Sequence, residues 1–152
     1  MIEARPITLD DVVPLHDLAV RPDQDRFVAP NAVTIAQARF ETGAHDFCLW
    51  HGPTRVGLLA LIDMADHEDR TPMDAPDAVY IWRLLIGTAF QGQGFGKAAI
   101  GLAEEWARSR GRRCVQITAV EDNTAAIAMY RALGYALTGQ RAGSEVQLEK
   151  IL

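Results

Sequence analysis

The sequence predicts a mixed α/β sandwich, and three observations carry that reading. Short apolar runs flank the turn signal His51-Gly52-Pro53-Thr54, which makes a hairpin. Between Val79 and Val120 an apolar run, a glycine-rich turn, a long amphipathic stretch and a second apolar run follow one another. That is the order of a strand, a crossover helix and a parallel strand. At 152 residues, with 49% hydrophobic and 23% charged side chains, the chain has the size and composition of one soluble globular unit, so residues 1–152 are read as a single domain.

In chain order, residues 2–7 alternate loosely as a strand. Thr8, with Asp11 three residues on, reads as a capping box opening a helix over 9–20. A second helical stretch, roughly 34–40, follows Asn31. The hairpin strands are 47–50 and 56–62, and a polar stretch over 63–77 leads to a buried strand at 79–86. After the glycine turn, Phe95, Ala99, Leu102 and Trp106 recur at helical spacing as one core-facing stripe, and Gly111 stops that helix. Residues 115–120 resume a strand, 124–133 form a helix ended by Gly134, and 135–138 with 145–151 offer a final strand pair.

Charge and composition exclude several functions. A formal net charge of −5 does not suit a protein that tracks phosphate backbones, since nucleic-acid binding needs a basic face. It suits a cationic substrate better, although mild acidity also serves solubility alone. Cys48 and Cys114 lie far apart in apolar runs and read as reduced thiols. His16, His45, His51 and His67 are scattered without metal-ligand spacing, so no metal is expected. No apolar run reaches bilayer length, and Glu3 and Asp10 stand where a signal peptide would be basic and then apolar. The expectation is a cytoplasmic protein with no membrane or nucleic-acid partner.

The chemistry concentrates in Gln91-Gly92-Gln93-Gly94-Phe95-Gly96-Lys97, between the strand ending at Ile86 and the helix beginning near Gly94. Backbone N–H groups at a helix N-terminus present the positive end of the dipole, so this loop is a candidate anion cradle. Gly92, Gly94 and Gly96 let a phosphate approach without Cβ obstruction, and Lys97 adds a positive charge in the first turn. A Walker loop is Gly-x-x-x-x-Gly-Lys-Ser/Thr; here Gly92 lies five residues before Lys97 and Ala98 replaces the magnesium-binding hydroxyl. A lone glycine turn is otherwise an ordinary strand-to-helix connection.

The motif Gln91-x-x-Gly94-x-Gly96 after an apolar strand, followed downstream by Asn123-x-x-Ala126-x-x-x-Tyr130-x-x-x-Gly134-Tyr135, resembles the two motifs of the GNAT superfamily of N-acetyltransferases. The resemblance covers essentially the whole chain. It implies a mostly antiparallel central sheet splayed between the fourth and fifth strands, with helices on both faces. It implies acetyl-CoA as co-substrate and direct attack by an amine in a ternary complex, with no acyl-enzyme. The implied cofactor-binding residues are Leu84, Leu85 and Ile86 on the splayed strand, Gln91, Gly92, Gln93, Gly94, Phe95, Gly96 and Lys97 in the loop, and Asn123, Ala126 and Tyr130 in the second motif. An N–H near Leu85 is the implied oxyanion donor. Asn123 is implied to contact the pantetheine arm, and its plainer reading is a helix N-cap. Tyr130 is the implied catalytic acid for the departing thiolate. Its reference pKa of roughly 10 exceeds that of a thiol, roughly 8.5. A homodimer is common in the family, and the sequence leaves it open.

Where many relatives carry a glutamate four residues before Ile86, this chain has Trp82, followed by Arg83. The base is therefore unassigned: a water chain, one of Asp63, Asp66, Glu68 or Asp69, or an acceptor that binds as its neutral minority. Arg83 reads as half of a structural ion pair. The segment from Asp23 and Asp25 to Asn31, with Ile35-Ala36-Gln37-Ala38 and Tyr80-Ile81-Trp82-Arg83, is similar to bacterial spermine/spermidine acetyltransferases. That similarity implies a small-molecule polyamine acceptor near Asp23, Asp25 and Trp82. The rival acceptors are a protein N-terminus or lysine side chain, and the rival role is a non-catalytic acetyl-CoA sensor.

Overall fold

The computed structural model describes residues 1–152. The elements are β1 (Glu3–Pro6), α1 (Leu9–Asp17), α2 (Asn31–Ala38), β2 (Ala44–His51), β3 (Thr54–Asp63), β4 (Ala78–Ile86), α3 (Phe95–Ser109), β5 (Cys114–Val120), α4 (Thr124–Ala132), β6 (Ala136–Ala142) and β7 (Glu145–Ile151). One seven-stranded sheet runs in the order β1-β2-β3-β4-β5-β7-β6. Only β4 and β5 are parallel. The α3 crossover supplies the length that a parallel connection needs, and tight hairpins join β2 to β3 and β6 to β7. No helix is long and apolar enough to cross a membrane.

Helices cover both faces. On one, Phe95, Ala99, Ile100 and Ala103 of α3 and Tyr130 of α4 pack with Val79, Ile81, Val115 and Ile117. On the other, Leu15 of α1 packs with Cys48, Leu58 and Ala60, with Ile35 of α2 against them. The buried side of α3 is Phe95, Ala99, Ile100, Ala103, Glu104 and Ala107. Small alanines let the helix approach the strands, and the expected stripe is displaced by part of a turn. Leu102 and Trp106 are only half-buried, with Trp106 on the flank against His45 and Phe47, at ring separations of 5.0 and 6.2 Å.

The Thr8–Asp11 capping box forms, with Thr8 N–H donating to Asp11 Oδ2 at 2.9 Å. The helix it opens ends at Asp17, short of the expected 20. The cause is tertiary: the backbone N–H and hydroxyl of Thr88 both donate to the carbonyl of Ala19, each at 2.9 Å, drawing the chain out of helical geometry. The chain then makes a 3-10 turn at Pro22–Phe27 that the sequence reading left unassigned.

Candidate active site

The sheet itself opens the site. β4 and β5 are joined only from Ala78↔Cys114 to Ile81↔Ile117. Past that point β4 stays with β3 as far as Ile86, while β5 stays with β7 as far as Val120. Each strand follows its antiparallel partner, and the two diverge. A cleft of about 990 Å³ occupies the wedge and its mouth, lined by Tyr80–Ile86 except Leu85, the glycine loop except Gln93, and Thr118, Asn123, Ala126, Tyr130 and Glu145.

A bulge aims the β4 side chains. Ala60 pairs with Arg83 and Leu61 with Ile81, which leaves Trp82 as the extra residue. In an unbroken strand Trp82 and Arg83 would point to opposite faces. Here the Arg83 guanidinium lies 4.4 Å from the Trp82 ring centre and bonds to Gln37 of α2. Beyond the bulge, Gly87 N–H donates to Val56 O at 3.0 Å, and the Leu85 carbonyl lies so close to Gly57 that an added Cβ would sit 2.3 Å from it. By alternation the backbone of Leu85 faces β3, while that of Leu84 and Ile86 faces the wedge. Leu84 and Ile86 are therefore the strand residues with N–H groups free for a ligand, and Leu85 serves the sheet.

At the end of β4 the loop presents the cradle. The N–H groups of Gly92, Gln93, Gly94, Phe95, Gly96 and Lys97 donate to no acceptor in the chain, and the helical ladder begins with Ala98 N–H to Gly94 O at 3.0 Å. Gly92 and Gly94 hold φ of 76° and 83°, a region open to glycine at little cost. Unspent donors at the positive end of α3, with Lys97 exposed beside them, fit a pyrophosphate. Two loop side chains face elsewhere. Phe95 is buried near His51, with ring centres 5.0 Å apart. Gln91 donates to Ile86 O at 3.1 Å and bonds to Gln24 and Arg21, tying the 3-10 turn to the loop. Arg26 reaches Asp122 at 3.3 Å on the other side, so this turn straps the mouth of the cleft.

Asn123 accepts a bond from Ala126 N–H at 3.4 Å, the helix-cap geometry, and both residues also line the cleft. Tyr130 is 9% exposed, its ring 6.4 Å from that of Tyr135, and its hydroxyl has no partner in the protein although the residue lines the cleft. Burial pushes its pKa up to about 12. It is a protonated donor with nothing in the chain to donate to.

Four residues named as possible bases lie outside the cleft. Asp63 is fully buried and accepts from Arg110 Nε at 2.6 Å and Arg112 Nε at 2.7 Å. Burial alone would raise its pKa, and these hydrogen bonds outweigh that and hold it below the usual carboxylate range. Asp66 bonds to Arg110 at 3.0 Å, and Glu68 and Asp69 are exposed on the same segment. Two acids do line the cleft, the exposed Asp25 at its mouth and Glu145, which is half-buried and without an ion-pair partner. No motif marks it; only the pairing Glu145↔Val120 brings the start of β7 to the wedge. Asp25 and Trp82 line the cleft, whereas Asp23 is drawn off by Arg21 at 3.3 Å. The ion pair expected for Arg83 is not formed: no carboxylate lies within 4 Å of it, and Glu145 and Glu41 act on it only through space. The thiols of Cys48 and Cys114 are buried, with pKa values pushed up to about 11 by burial.

An uncharacterised N-acetyltransferase of Methanocaldococcus jannaschii is 38% identical over 55 residues, which cover 36% of this chain and 24% of the relative's length. A domain of known structure from Methanocaldococcus jannaschii superposes with a TM-score of 0.74 at 21% identity, over 100% of this chain and 99% of that one. The aminoglycoside acetyltransferase AAC(6')-Ib, solved with coenzyme A, gives a TM-score of 0.79 at 14% identity, over 99% and 95% of the two chains. The model of the acetyltransferase (GNAT) family matches residues 12–135, from α1 through the Gly134 turn that follows the Tyr130 helix. With the splayed β4–β5 pair, the free amide cradle and Tyr130 all inside or bordering that span, the chain belongs to the GNAT acetyltransferase family.

Proposed function

We propose that this chain transfers the acetyl group of acetyl-CoA to a primary amine. The observation that carries the reading is that one wedge brings together an unspent N–H cradle, two free strand amides and an unpartnered tyrosine hydroxyl. A sensor would need the cradle but has no use for a buried proton donor. Acetyl-CoA supplies an activated thioester carbonyl and a thiolate leaving group. The cradle Gly92–Lys97 anchors the pyrophosphate, and the N–H groups of Leu84 and Ile86 face the pantetheine arm and the acetyl oxygen. Attack by the amine forms the C–N bond as the C–S bond breaks. Glu145 takes the proton that the amine loses, and Tyr130 Oη gives one to the thiolate.

The polyamine reading rests on Asp23 and Asp25, and only Asp25 lines the cleft, where Arg26, Arg83 and Lys97 also stand. Thiol release from acetyl-CoA, measured with spermidine, spermine, a lysine peptide, free amino acids and no acceptor, tests the reaction and the acceptor together. Amine-dependent release is expected. Tight binding of acetyl-CoA without release on any amine would leave the cradle and remove the enzyme. Glu145→Gln is expected to lower kcat/KM about tenfold at pH 7, below the usual range for a general base because the open cleft admits water as a substitute. An unchanged pH profile in that variant would return proton acceptance to solvent.

A further inference from the structure

Arg83 is the one cation of this chain withdrawn from solvent without an anion. Arg55, Arg112 and Lys150 are also only partly exposed, and each meets a carboxylate: Asp11 at 2.8 Å, Asp63 at 2.7 Å and Glu104 at 3.1 Å. Every other arginine and lysine is exposed. Arg83 has neither remedy. Its Nη2 donates to the neutral Gln37 Oε1 at 3.1 Å, and its Nη1 reaches the Trp82 carbonyl only at 3.5 Å. Burial lowers its pKa from the ordinary arginine value, yet a guanidinium does not shed its proton in a protein. Glu145 and Glu41 act on it only through space, so a charge held in this way lacks a direct counter-ion, which a ligand anion would supply.

The fold places that need in the cleft. The β4 bulge turns Arg83 onto the α2 face, where stacking on Trp82 and the bond to Gln37 fix the plane of the fork. The phosphate cradle belongs to α3, on the opposite face of the sheet, so the cofactor's phosphates are not its counter-ion. Glu145 lines the same cleft as Arg83 and is also unpaired. Arg83 and Glu145 thus share the cleft as its two half-buried charges with no direct ion pair between them, beside the exposed Asp25, Arg26 and Lys97.

Resting on the acetyltransferase reading above, we propose that the acceptor amine carries a carboxylate, held by the Arg83 guanidinium while the amine lies toward Glu145. The substrate class is an amino acid or a comparable small zwitterion rather than a polyamine. A planar fork with one edge fixed by Gln37 leaves its other N–H groups for a carboxylate, the geometry in which arginine binds best.

The test uses matched pairs that differ by the carboxylate: lysine and cadaverine, ornithine and putrescine, glycine and methylamine, β-alanine and ethylamine, with spermidine added. Binding to the protein preloaded with coenzyme A is measured by calorimetry, and thiol release from acetyl-CoA is measured on the same panel. At least one carboxylate-bearing amine is expected to bind more than tenfold tighter than its partner. Arg83→Gln should weaken that amine by roughly 10- to 100-fold, the range for a charge-assisted hydrogen bond, and bring the ratio within the pair towards one. Arg83→Lys, which keeps the charge but not the fork, should recover part of the loss, and melting curves check that both variants fold. Tighter binding of spermidine or the decarboxylated amines, no binding of any carboxylate-bearing amine, or an unchanged affinity in Arg83→Gln would each overturn the proposal. Arg83-dependent binding without thiol release would uphold the carboxylate site and count against the acetyltransferase reading instead.

Discussion

Tyr130→Phe lowers turnover by about a hundredfold and leaves acetyl-CoA affinity within about twofold of wild type; this is the expected result, at the low end of general-acid effects. The substitution is clean because the hydroxyl bonds to nothing in the protein, so its removal leaves no buried partner unsatisfied, and a phenyl ring keeps the packing beside Tyr135. The readouts are kcat from thiol release and Kd from calorimetry. The pH dependence carries a second check. With its pKa pushed up to about 12 by burial, Tyr130 stays protonated throughout the neutral and mildly alkaline range. Wild-type turnover should therefore show no loss attributable to this group below about pH 11, and the defect in the phenylalanine variant should be the same at pH 7 and pH 9. Wild-type kcat in a folded Tyr130→Phe protein would remove the acid role.

Gly96→Val is expected to weaken acetyl-CoA binding by about 100-fold or more while leaving the fold intact. A Cβ at Gly96 meets no protein atom within 4 Å, so the side chain starts into open space, and valine is no worse than glycine for the helix. What it occupies is the space above the free N–H groups, where one or two hydrogen bonds to a charged phosphate are each worth roughly 1.5–3 kcal/mol. Gly94 makes the poorer test, because its φ of 83° strains any β-branched replacement and would confuse lost binding with a distorted loop. Calorimetry with coenzyme A, beside a melting curve, separates the two effects. A folded Gly96→Val protein with wild-type affinity would place the pyrophosphate elsewhere.

The parts of the site that were legible in the sequence are those whose chemistry is local. The cradle needs only glycines between a strand and a helix, and the Asn123 cap needs only an acceptor three residues before Ala126 N–H. Both are written within a few residues. Tyr130 is marked by its spacing to Asn123 and the family resemblance, and it lines the cleft with its hydroxyl free of protein partners. Glu145 had no such signal. It reaches the cleft because β7 pairs with β5 across a sheet whose order departs from chain order. Asp63 misled for the converse reason: at the head of a polar stretch it reads as a candidate base, but the chain folds two distant arginines onto it.

The sequence by itself determined the alternation of strands and helices, the hairpins, the parallel crossover and the anion loop, because periodicity, turn chemistry and helix termini depend on neighbours within a few positions. Only the tertiary structure decided where β4 parts from β5, that a bulge at Trp82 turns Arg83 onto the α2 face, that Leu85 serves the sheet while Leu84 and Ile86 face the wedge, and that Glu145 lines the cleft. Those features are set by register and by competition between partners. A strand's backbone direction and a buried charge's counter-ion are fixed by residues far away in the chain, which local propensity does not specify.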